Sequence, residues 1–307
     1  MDKKAFPWYD ALRKHPIGRS VYMEQYKAEI LIDQRHKLGE GPVWDKENNT
    51  LYYVDIMNNA LHSLSLSSGQ RTTLGLTQNI GCFALREAGG FIMGLSAGIY
   101  LRNTEGTQVT KLPSPDFDPL TRANDGKCDP DGRFWCGTSD QVDGVLKGEL
   151  YVITPDGRCA KLLDKLACAN GLAFKGDQVY FIDSPRRRVE QYTFDAEKLT
   201  LSDMRIAVEI DPAHGVPDGM TMDTEGMLWV AHWGGGFVGR YDPATGEMLA
   251  KVTVPASQSS SCCFGGADMQ TLFITSAGIG KDDEPHAGKI FAVHLPYKGV
   301  DSPKFPG

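Results

Sequence analysis

Residues 129–138 read DPDGRFWCGT, in which a turn rich in Asp, Pro and Gly leads into a short apolar strand. The same arrangement recurs along the chain, because further short apolar segments follow turns of this kind. They begin 40 to 49 residues apart, at Leu51 (LYYVD), Phe91 (FIMGL), Phe134 (FWCGT), Val179 (VYFID), Leu228 (LWVAH) and Leu272 (LFITS). A second strand-like segment follows each of them. Short, β-rich segments at this even spacing predict an all-β protein.

A period of this length has room for four strands and is typical of one blade of a β-propeller. Six copies therefore predict a six-bladed β-propeller. Residues 25–34 (QYKAEILIDQ) precede the first full repeat, and we expect this N-terminal strand to pair into the last blade, which removes an exposed edge. The predicted divisions are an N-terminal arm at 1–24, the catalytic propeller at 25–300 and a C-terminal tail at 301–307. The alternative is a β-sandwich whose spacing is coincidental.

Composition and charge favour an ordinary soluble protein. The 307 residues include 32 Lys and Arg against 39 Asp and Glu, and the net charge of −7 disfavours nucleic acid as a partner. No stretch is apolar enough to cross a membrane, and the N-terminus lacks the apolar run of a signal peptide. Seven cysteines without a CxxC pattern indicate reduced thiols. We expect a cytoplasmic monomer or small homo-oligomer with no nucleic-acid or membrane partner.

Two familiar catalytic motifs occur outside their usual context. GLSAG at 94–98 matches the nucleophile elbow of hydrolases, and GGGFVG at 234–239 matches the dinucleotide-binding fingerprint. Both motifs require a helix after the glycines, whereas strand-like segments follow here. We interpret both as hairpin turns.

Polar residues precede the innermost strand of four predicted blades. In a propeller these strands line a central channel, and the segments entering them face one mouth, so residues far apart in sequence converge. The four segments are GEGPVW at 39–44, RANDGK at 122–127, ANGL at 169–172 and PDGM at 217–220. Each places a carboxylate or an amide beside a glycine, or one residue before it. Any one of them is also a common turn former, but all four occupy equivalent places in the repeat.

Carboxylates and amides that meet in a narrow channel repel one another unless a cation lies between them. Oxygen-only ligands favour a hard or borderline divalent ion such as Ca²⁺, Mg²⁺, Mn²⁺ or Zn²⁺. A small number of protein ligands leaves positions open for water and substrate, as catalytic metal sites require. The pattern therefore predicts one divalent cation at the channel mouth.

The chain resembles the family of gluconolactonases, senescence-marker proteins and luciferin-regenerating enzymes, which are six-bladed propellers. The resemblance runs from about Leu38 to Leu295. It rests on seven segments in the family's order, namely LGEGPVW, RxNDGKxDPxGRFWxGT, ANGLAF, DSPxRRV, PDGMxxDxEGxLWVA, RYDPxTG and CFGGxDxxTLFITSA. It implies one divalent cation (Ca²⁺, Zn²⁺, Mn²⁺, Mg²⁺ or Fe²⁺) held by Glu40, Asn170 and Asp218.

The resemblance also implies roles in catalysis and substrate binding. Asp218 corresponds to the general base, and Arg122 and Asn124 to residues that hydrogen-bond the substrate. After the RFWxGT strand many members carry Met and then an acidic residue that contacts sugar hydroxyls. This chain has Ser139–Asp140–Gln141 there, so Asp140 is the candidate for that contact. His232, followed by Trp233, could stack on a sugar ring, although packing of Trp233 between blades is an equal alternative.

The implied activity is metal-dependent hydrolysis of a small-molecule sugar lactone to the aldonic acid. The cation would polarise the ester carbonyl, Asp218 would accept a proton from water, and Arg122 would bind hydroxyls. One alternative is a non-catalytic propeller that binds calcium or another ligand. A third reading is a hydrolase of other esters, such as organophosphates or aryl esters. The presence of Arg122 and Asn124 beside Asp218 favours the lactonase, because a purely structural ion needs no arginine that binds substrate.

Overall fold

The computed structural model describes residues 23–114 and 116–307, so nearly all of the predicted arm at 1–24 lies outside the described residues. The described chain forms six sheets with almost no helix. The innermost strands of neighbouring sheets contact one another all the way round, and that of the sixth contacts that of the first. The prediction of an all-β, six-bladed β-propeller is confirmed.

Each blade is built on four antiparallel strands that run outward from the channel. The strands are, in chain order, β1 (Glu24–Lys27), β2 (Glu29–Ile32), β3 (Gly39–Asp45), β4 (Thr50–Asp55), β5 (Ala60–Ser65), β6 (Arg71–Gly75), β7 (Ile80–Leu85), β8 (Phe91–Leu95), β9 (Gly98–Arg102), β10 (Val109–Lys111), β11 (Thr121–Cys128), β12 (Phe134–Asp140), β13 (Gly148–Ile153), β14 (Cys159–Leu166), β15 (Ala169–Lys175), β16 (Gln178–Asp183), β17 (Arg188–Asp195), β18 (Thr200–Glu209), β19 (Val216–Met222), β20 (Leu228–Trp233), β21 (Phe237–Tyr241), β22 (Met248–Thr253), β23 (Ser259–Gly265), β24 (Thr271–Ser276) and β25 (Ile290–His294). Short 3₁₀ helices occupy Ile56–Asn58, Ser184–Arg186 and Pro212–His214. The innermost strands are β3, β7, β11, β15, β19 and β23.

The N-terminal segment closes the ring, as predicted, but it does so with two strands. β2 pairs antiparallel with β25 and completes the sixth blade, whereas β1 pairs parallel with β22 and adds a fifth strand to the fifth blade. The chain crosses between the two blades at Ala28, which is buried and whose N–H donates to the Thr253 carbonyl oxygen at 2.9 Å. Residues 24–32 therefore fasten the fifth blade to the sixth.

The DPDG turn that opens the repeat also holds a buried tryptophan. Asp129 accepts backbone N–H bonds within its own turn, and its Oδ2 accepts the indole N–H of Trp135 at 2.9 Å. Asp223 does the same for Trp229 at 3.0 Å in the DTEG turn of the fifth blade. Both tryptophans are fully buried between blades. An aspartate six residues before a tryptophan thus satisfies the only polar atom of a large core side chain.

The two motifs that we interpreted as hairpins are hairpins. GLSAG joins β8 to β9, and GGGFVG joins β20 to β21. In the part of the chain that the structure describes, no helix has the length and apolar character needed to cross a membrane.

Candidate metal and substrate site

Every innermost strand carries a β-bulge near its start. At each bulge the innermost strand has one residue more than the neighbouring strand. The bulges lie between Glu40 and Val43, Ile80 and Cys82, Ala123 and Gly126, Asn170 and Leu172, Pro217 and Met220, and Ser259 and Ser261. A bulge re-aims side chains and ends regular pairing. Six bulges at equivalent places set the polar residues of the sequence in one layer around the channel, which we call the bulge layer.

Three carboxylates of the bulge layer share one local hydrogen bond, in which each accepts the N–H of the glycine that follows it. These pairs are Glu40 with Gly41 (2.9 Å), Asp125 with Gly126 (2.7 Å) and Asp218 with Gly219. This bond fixes one oxygen of each carboxylate against its own strand. Gly219 is also required by packing between blades, because a Cβ there would overlap the side chain of Ser261.

The buried carboxylates oppose one another's ionisation. Glu40 and Asp218 are 7% and 6% exposed. Burial, and then the charge of Asp125, raises the pKa of Glu40 to about 8. Burial, and then the charges of Glu40 and Asp125, raises the pKa of Asp218 well above its usual range. These carboxylates from the first, third and fifth blades therefore lie close enough for the charge of one to affect another, and a cation between them would favour their ionised forms.

Asn170 adds an oxygen that is free to bind a cation. Its Nδ2 donates to Ser184 Oγ at 3.0 Å, which turns the Oδ1 away from that contact. The Oδ1 is buried and has no hydrogen-bond partner among the described residues. The amide also lies against Asp218 and partly offsets the rise in the pKa of that carboxyl. A buried acceptor without a donor is uncommon and calls for a ligand or an ion.

The donor set fits a divalent cation. Two buried carboxylates that repel each other and one orphaned amide oxygen are the ligand types that hard cations prefer. Residues 23–114 and 116–307 contain no cluster of three or more Asp, Glu, His or Cys side chains arranged to hold a metal. The predicted set of Glu40, Asn170 and Asp218 has only two residues of those types, and water or substrate would supply the remaining ligands.

Arg122 lies beside this donor set. Its Nη1 donates to the Ala123 carbonyl oxygen at 2.8 Å and to Asn124 Oδ1 at 2.7 Å. Its Nε and Nη2 form no hydrogen bond with any residue that the structure describes. Burial lowers the pKa of Arg122, while Cys168, Glu40 and Asp218 act in the opposite direction. Arginine is protonated in proteins, and this guanidinium has three N–H groups free for a bound molecule.

Asn124 links Arg122 to the next blade. Its Oδ1 accepts from Arg122, and its Nδ2 donates to the Ala169 carbonyl oxygen at 3.0 Å. The Asn124 side chain therefore bridges the third blade to the fourth and holds the Arg122 guanidinium in place. Its Oδ1 retains a second lone pair for a hydroxyl donor.

Asp140 and His232 are occupied by protein contacts. The carboxylate of Asp140 accepts the N–H groups of Leu146 (2.7 Å) and Lys147 (2.9 Å) and orders the loop that follows β12. His232 is fully buried; Nδ1 lies 3.1 Å from the His214 carbonyl oxygen and Nε2 lies 2.9 Å from the Tyr241 hydroxyl. Burial lowers the pKa of His232 to about 3. Their substrate contacts stay predictions, and neither side chain is oriented by this geometry toward a ligand.

Residues 38–278 match the family model described as "SMP-30/Gluconolactonase/LRE-like region". The chain belongs to this family. A Danio rerio protein named regucalcin is 37% identical over 295 residues, which cover 93% of this chain and 100% of that one. The Bacillus subtilis protein named "Putative sugar lactone lactonase YvrE" is 34% identical over 288 residues, 91% of this chain and 99% of that one. A solved structure from Agrobacterium tumefaciens, described as a calcium-binding protein, regucalcin, superposes with a TM-score of 0.86 at 28% identity and covers 93% of this chain and 99% of that one.

Membership of the SMP-30/gluconolactonase family supports a propeller of the lactonase type or of the calcium-binding type. The bulge layer is compatible with both types, because its carboxylate and amide oxygens suit a divalent cation. The two differ in whether a substrate is bound beside the ion, and the free N–H groups of Arg122 bear on that difference.

Sequence reasoning gave no role to Asp125 and Ser260, which also belong to the bulge layer. Asp125 Oδ2 is buried without a partner among the described residues, and Ser260 Oγ donates to the Gly39 carbonyl oxygen at 2.5 Å. A signal for Asp125 was available, because Asp125–Gly126 repeats the Asp–Gly pair at Asp218 in an equivalent blade position. Ser260 had no such signal, since serine before a strand is common.

Proposed function

We propose that this protein is a metal-dependent hydrolase that opens a sugar lactone to the corresponding aldonic acid. The observation that carries the proposal is the bulge layer, where Glu40, Asn170 and Asp218 present oxygen donors from three blades beside Arg122. A lactone as substrate is supported by the family and by the name of the Bacillus subtilis relative.

A divalent cation held by Glu40, Asn170 and Asp218 would supply Lewis-acid polarisation of the ester carbonyl. Asp218 has a second role, in which its carboxylate accepts a proton from the attacking water. An aspartate is a weak base, and this suffices because a lactone is an activated ester. Hydrogen bonds from Gly219 and Asn170 hold the Asp218 carboxylate in place for that proton transfer.

Arg122 binds and orients the sugar. Its three free N–H groups form a planar set that suits ring hydroxyls or the carbonyl oxygen. Asn124 fixes the guanidinium through the 2.7 Å bond from Nη1, so that little side-chain freedom is lost when substrate binds. Asp140 and His232 remain proposed contacts of lesser weight, because their polar atoms already have partners.

A second candidate is a calcium-binding propeller without catalytic activity. It is favoured by the description of the Agrobacterium tumefaciens structure as a calcium-binding protein. The same oxygen donors suit Ca²⁺. The lactonase is preferred because a protein that only binds an ion has no use for an arginine with free N–H groups beside Glu40 and Asp218. We further propose a cytoplasmic protein, monomeric or a small homo-oligomer, without nucleic-acid or membrane partners.

The test is a lactonase assay on purified, EDTA-treated protein with a pH indicator and a panel of aldonolactones of both common ring sizes. Ca²⁺, Zn²⁺, Mn²⁺, Mg²⁺ and Fe²⁺ are added back one at a time. We expect no turnover after EDTA and restored turnover with at least one ion. Binding of an ion without turnover of any lactone would favour the calcium-binding candidate. Turnover of aryl esters or organophosphates alone would assign a different hydrolase activity.

A further inference from the structure

The channel contains a cavity beyond the bulge layer, toward the C-terminal ends of the innermost strands, which we call the distal cavity. It has a volume of about 450 Å³ and is lined by residues from all six innermost strands, including Val43, Phe83, Lys127, Leu172, Thr221 and Cys263. These residues follow those of the bulge layer by two or three positions, which at about 3.3 Å per residue places the cavity roughly 7–10 Å further along the axis. The distal cavity and the proposed lactone site are therefore different places.

The C-terminal segment crosses the outer mouth of the distal cavity. Val300–Pro303 contributes to its lining. Val300 N–H donates to the Met222 carbonyl oxygen at 3.3 Å, and Phe305 N–H donates to the Leu85 carbonyl oxygen at 2.8 Å. The segment thus runs from the fifth blade to the second and covers part of the opening. A cavity of this size matches small-molecule sites in other proteins.

The lining is mostly apolar, but one cation lies at its inner end. Lys127 reaches across the channel from the third blade, and its Nζ donates to the Met220 carbonyl oxygen at 2.6 Å on the fifth blade. Lys127 forms no ion pair with any described residue. Burial raises the pKa of Asp125, which lies toward the bulge layer, and the charge of Lys127 opposes that rise. Two donors of the ammonium remain. The acidic lining residue Asp301 is already paired with Lys46 at 3.2 Å.

The mostly apolar lining and the single cation together determine which kind of ligand fits the distal cavity. The aliphatic and aromatic lining favours an apolar body, and it offers few groups that could bind the hydroxyls of a sugar. The free donors of Lys127 favour one anionic group, because a charge-assisted hydrogen bond in such a setting is strong. We propose that the distal cavity binds a small monocarboxylate with an apolar body, whose carboxylate contacts Lys127.

The test is calorimetric titration of the full-length protein with octanoate, alongside octanol and octylamine as neutral and cationic molecules of matched length. We expect octanoate to bind more tightly than octanol, and octylamine most weakly. Lys127→Met should weaken octanoate binding by about 10- to 100-fold, the usual value of a hydrogen bond to a charged group, and leave octanol unchanged. Lys298→Met, the same change at an exposed lysine outside the lining, should leave both unchanged.

A second variant acts at the mouth and does not touch Lys127. Ser302→Trp places a large ring at the rim of the cavity and should weaken octanoate and octanol together. If Lys127→Met does not fold, the proposal is tested by Ser302→Trp and by the comparison of octanoate with octanol on the wild-type protein. Equal affinities for octanoate and octanol, no octanoate binding, or full octanoate affinity in either variant would overturn the proposal.

Discussion

Glu40 and Asp218 show how burial and neighbouring charge shape a single side chain. Each carboxylate accepts one N–H from the glycine that follows it, and this contact favours the ionised form. Burial and the charge of Asp125 act against ionisation and prevail in both. Such an arrangement costs free energy in the absence of a counter-ion, since buried charges are tolerated when they are paired or bind metals. The acids are therefore better suited to holding a cation than to stabilising the fold.

Replacement of Asp218 by Asn tests the proposed base at the residue scale. At saturating metal, we expect Asp218→Asn to lower kcat by about 10²-fold or more, because the amide cannot accept the proton of water. The matched control is Asp203→Asn, an exposed aspartate on β18, which should retain full activity. The measurement is the rate of lactone hydrolysis, with circular dichroism to verify folding. Wild-type kcat in a folded, metal-loaded Asp218→Asn protein would remove Asp218 from the mechanism.

At the scale of the element, the bulged innermost strand is the unit that matters. Its glycines let adjacent blades approach closely, as at Gly171, where a Cβ would lie 2.7 Å from the Asp218 carbonyl oxygen. The bulge then directs the preceding acid or amide to the channel. In such a dipeptide the glycine therefore serves the packing of the blades, and the acid or amide before it serves the site in the channel.

Gly219→Ala tests the close approach of the fifth and sixth blades. We expect a loss of about 1–3 kcal/mol in the free energy of unfolding, because the new methyl group overlaps Ser261 and the blades must move apart. Gly75→Ala is the control, since a Cβ at Gly75 on β6 would meet no atom within 4 Å. The measurement is urea denaturation of both variants. Equal midpoints for the two would show that the spacing at Gly219 is not constrained.

His62 on β5 makes stability depend on pH. Burial, and then the neighbouring His36, lowers the pKa of His62 to about 4, whereas in the unfolded chain it is about 6.5. At pH values between these two pKa values, His62 is protonated in the unfolded state but not in the folded state. The free energy of unfolding therefore falls as pH falls, by at most about 1.4 kcal/mol per pH unit. We expect His62→Gln to reduce this slope. Unfolding free energies at about pH 7 and about pH 5 measure it. An unchanged slope would contradict the assignment.

At the scale of the whole molecule, the ring depends on two short strands that precede the first blade. β2 supplies the fourth strand of the sixth blade, and β1 extends the fifth. Ile32 at the end of β2 is buried in the core formed where the first, fifth and sixth blades meet. Closure removes the free edge that an open array of blades would expose.

Ile32→Ala tests this closure. We expect a loss of about 2–5 kcal/mol in unfolding free energy, the usual cost of truncating a buried isoleucine. Ile206→Ala is the matched control, because Ile206 on β18 is 40% exposed and its truncation removes few contacts. Denaturation in urea measures both. A small effect at Ile32, equal to that at Ile206, would mean that β2 contributes little to closing the ring.

Much of the fold could be predicted, because each blade repeats a turn and an apolar strand that the sequence displays directly. The division of residues 25–34 at Ala28 could not be predicted, since both halves have strand character and only the three-dimensional ring decides which blade each half joins. That the segments carrying Glu40, Asn170 and Asp218 enter the channel followed from their equivalent places in the repeat. The choice of these three residues as a ligand set came from the resemblance to the family and stays a prediction. The contacts of Asp140 and His232 did not follow, because they depend on the loop after β12 and on the packing of Tyr241.

The proposed mechanism depends most on the binding of one divalent cation by the bulge layer. The direct measurement is the metal content per chain after dialysis against each candidate ion, determined by mass spectrometry for the wild-type protein and for Glu40→Gln, Asp218→Asn and the control Asp203→Asn. We predict one bound cation in the wild type and the control, and at least about 10-fold weaker binding in the other two. A wild-type protein that binds none of the ions, or undiminished binding in Glu40→Gln and Asp218→Asn, would contradict it.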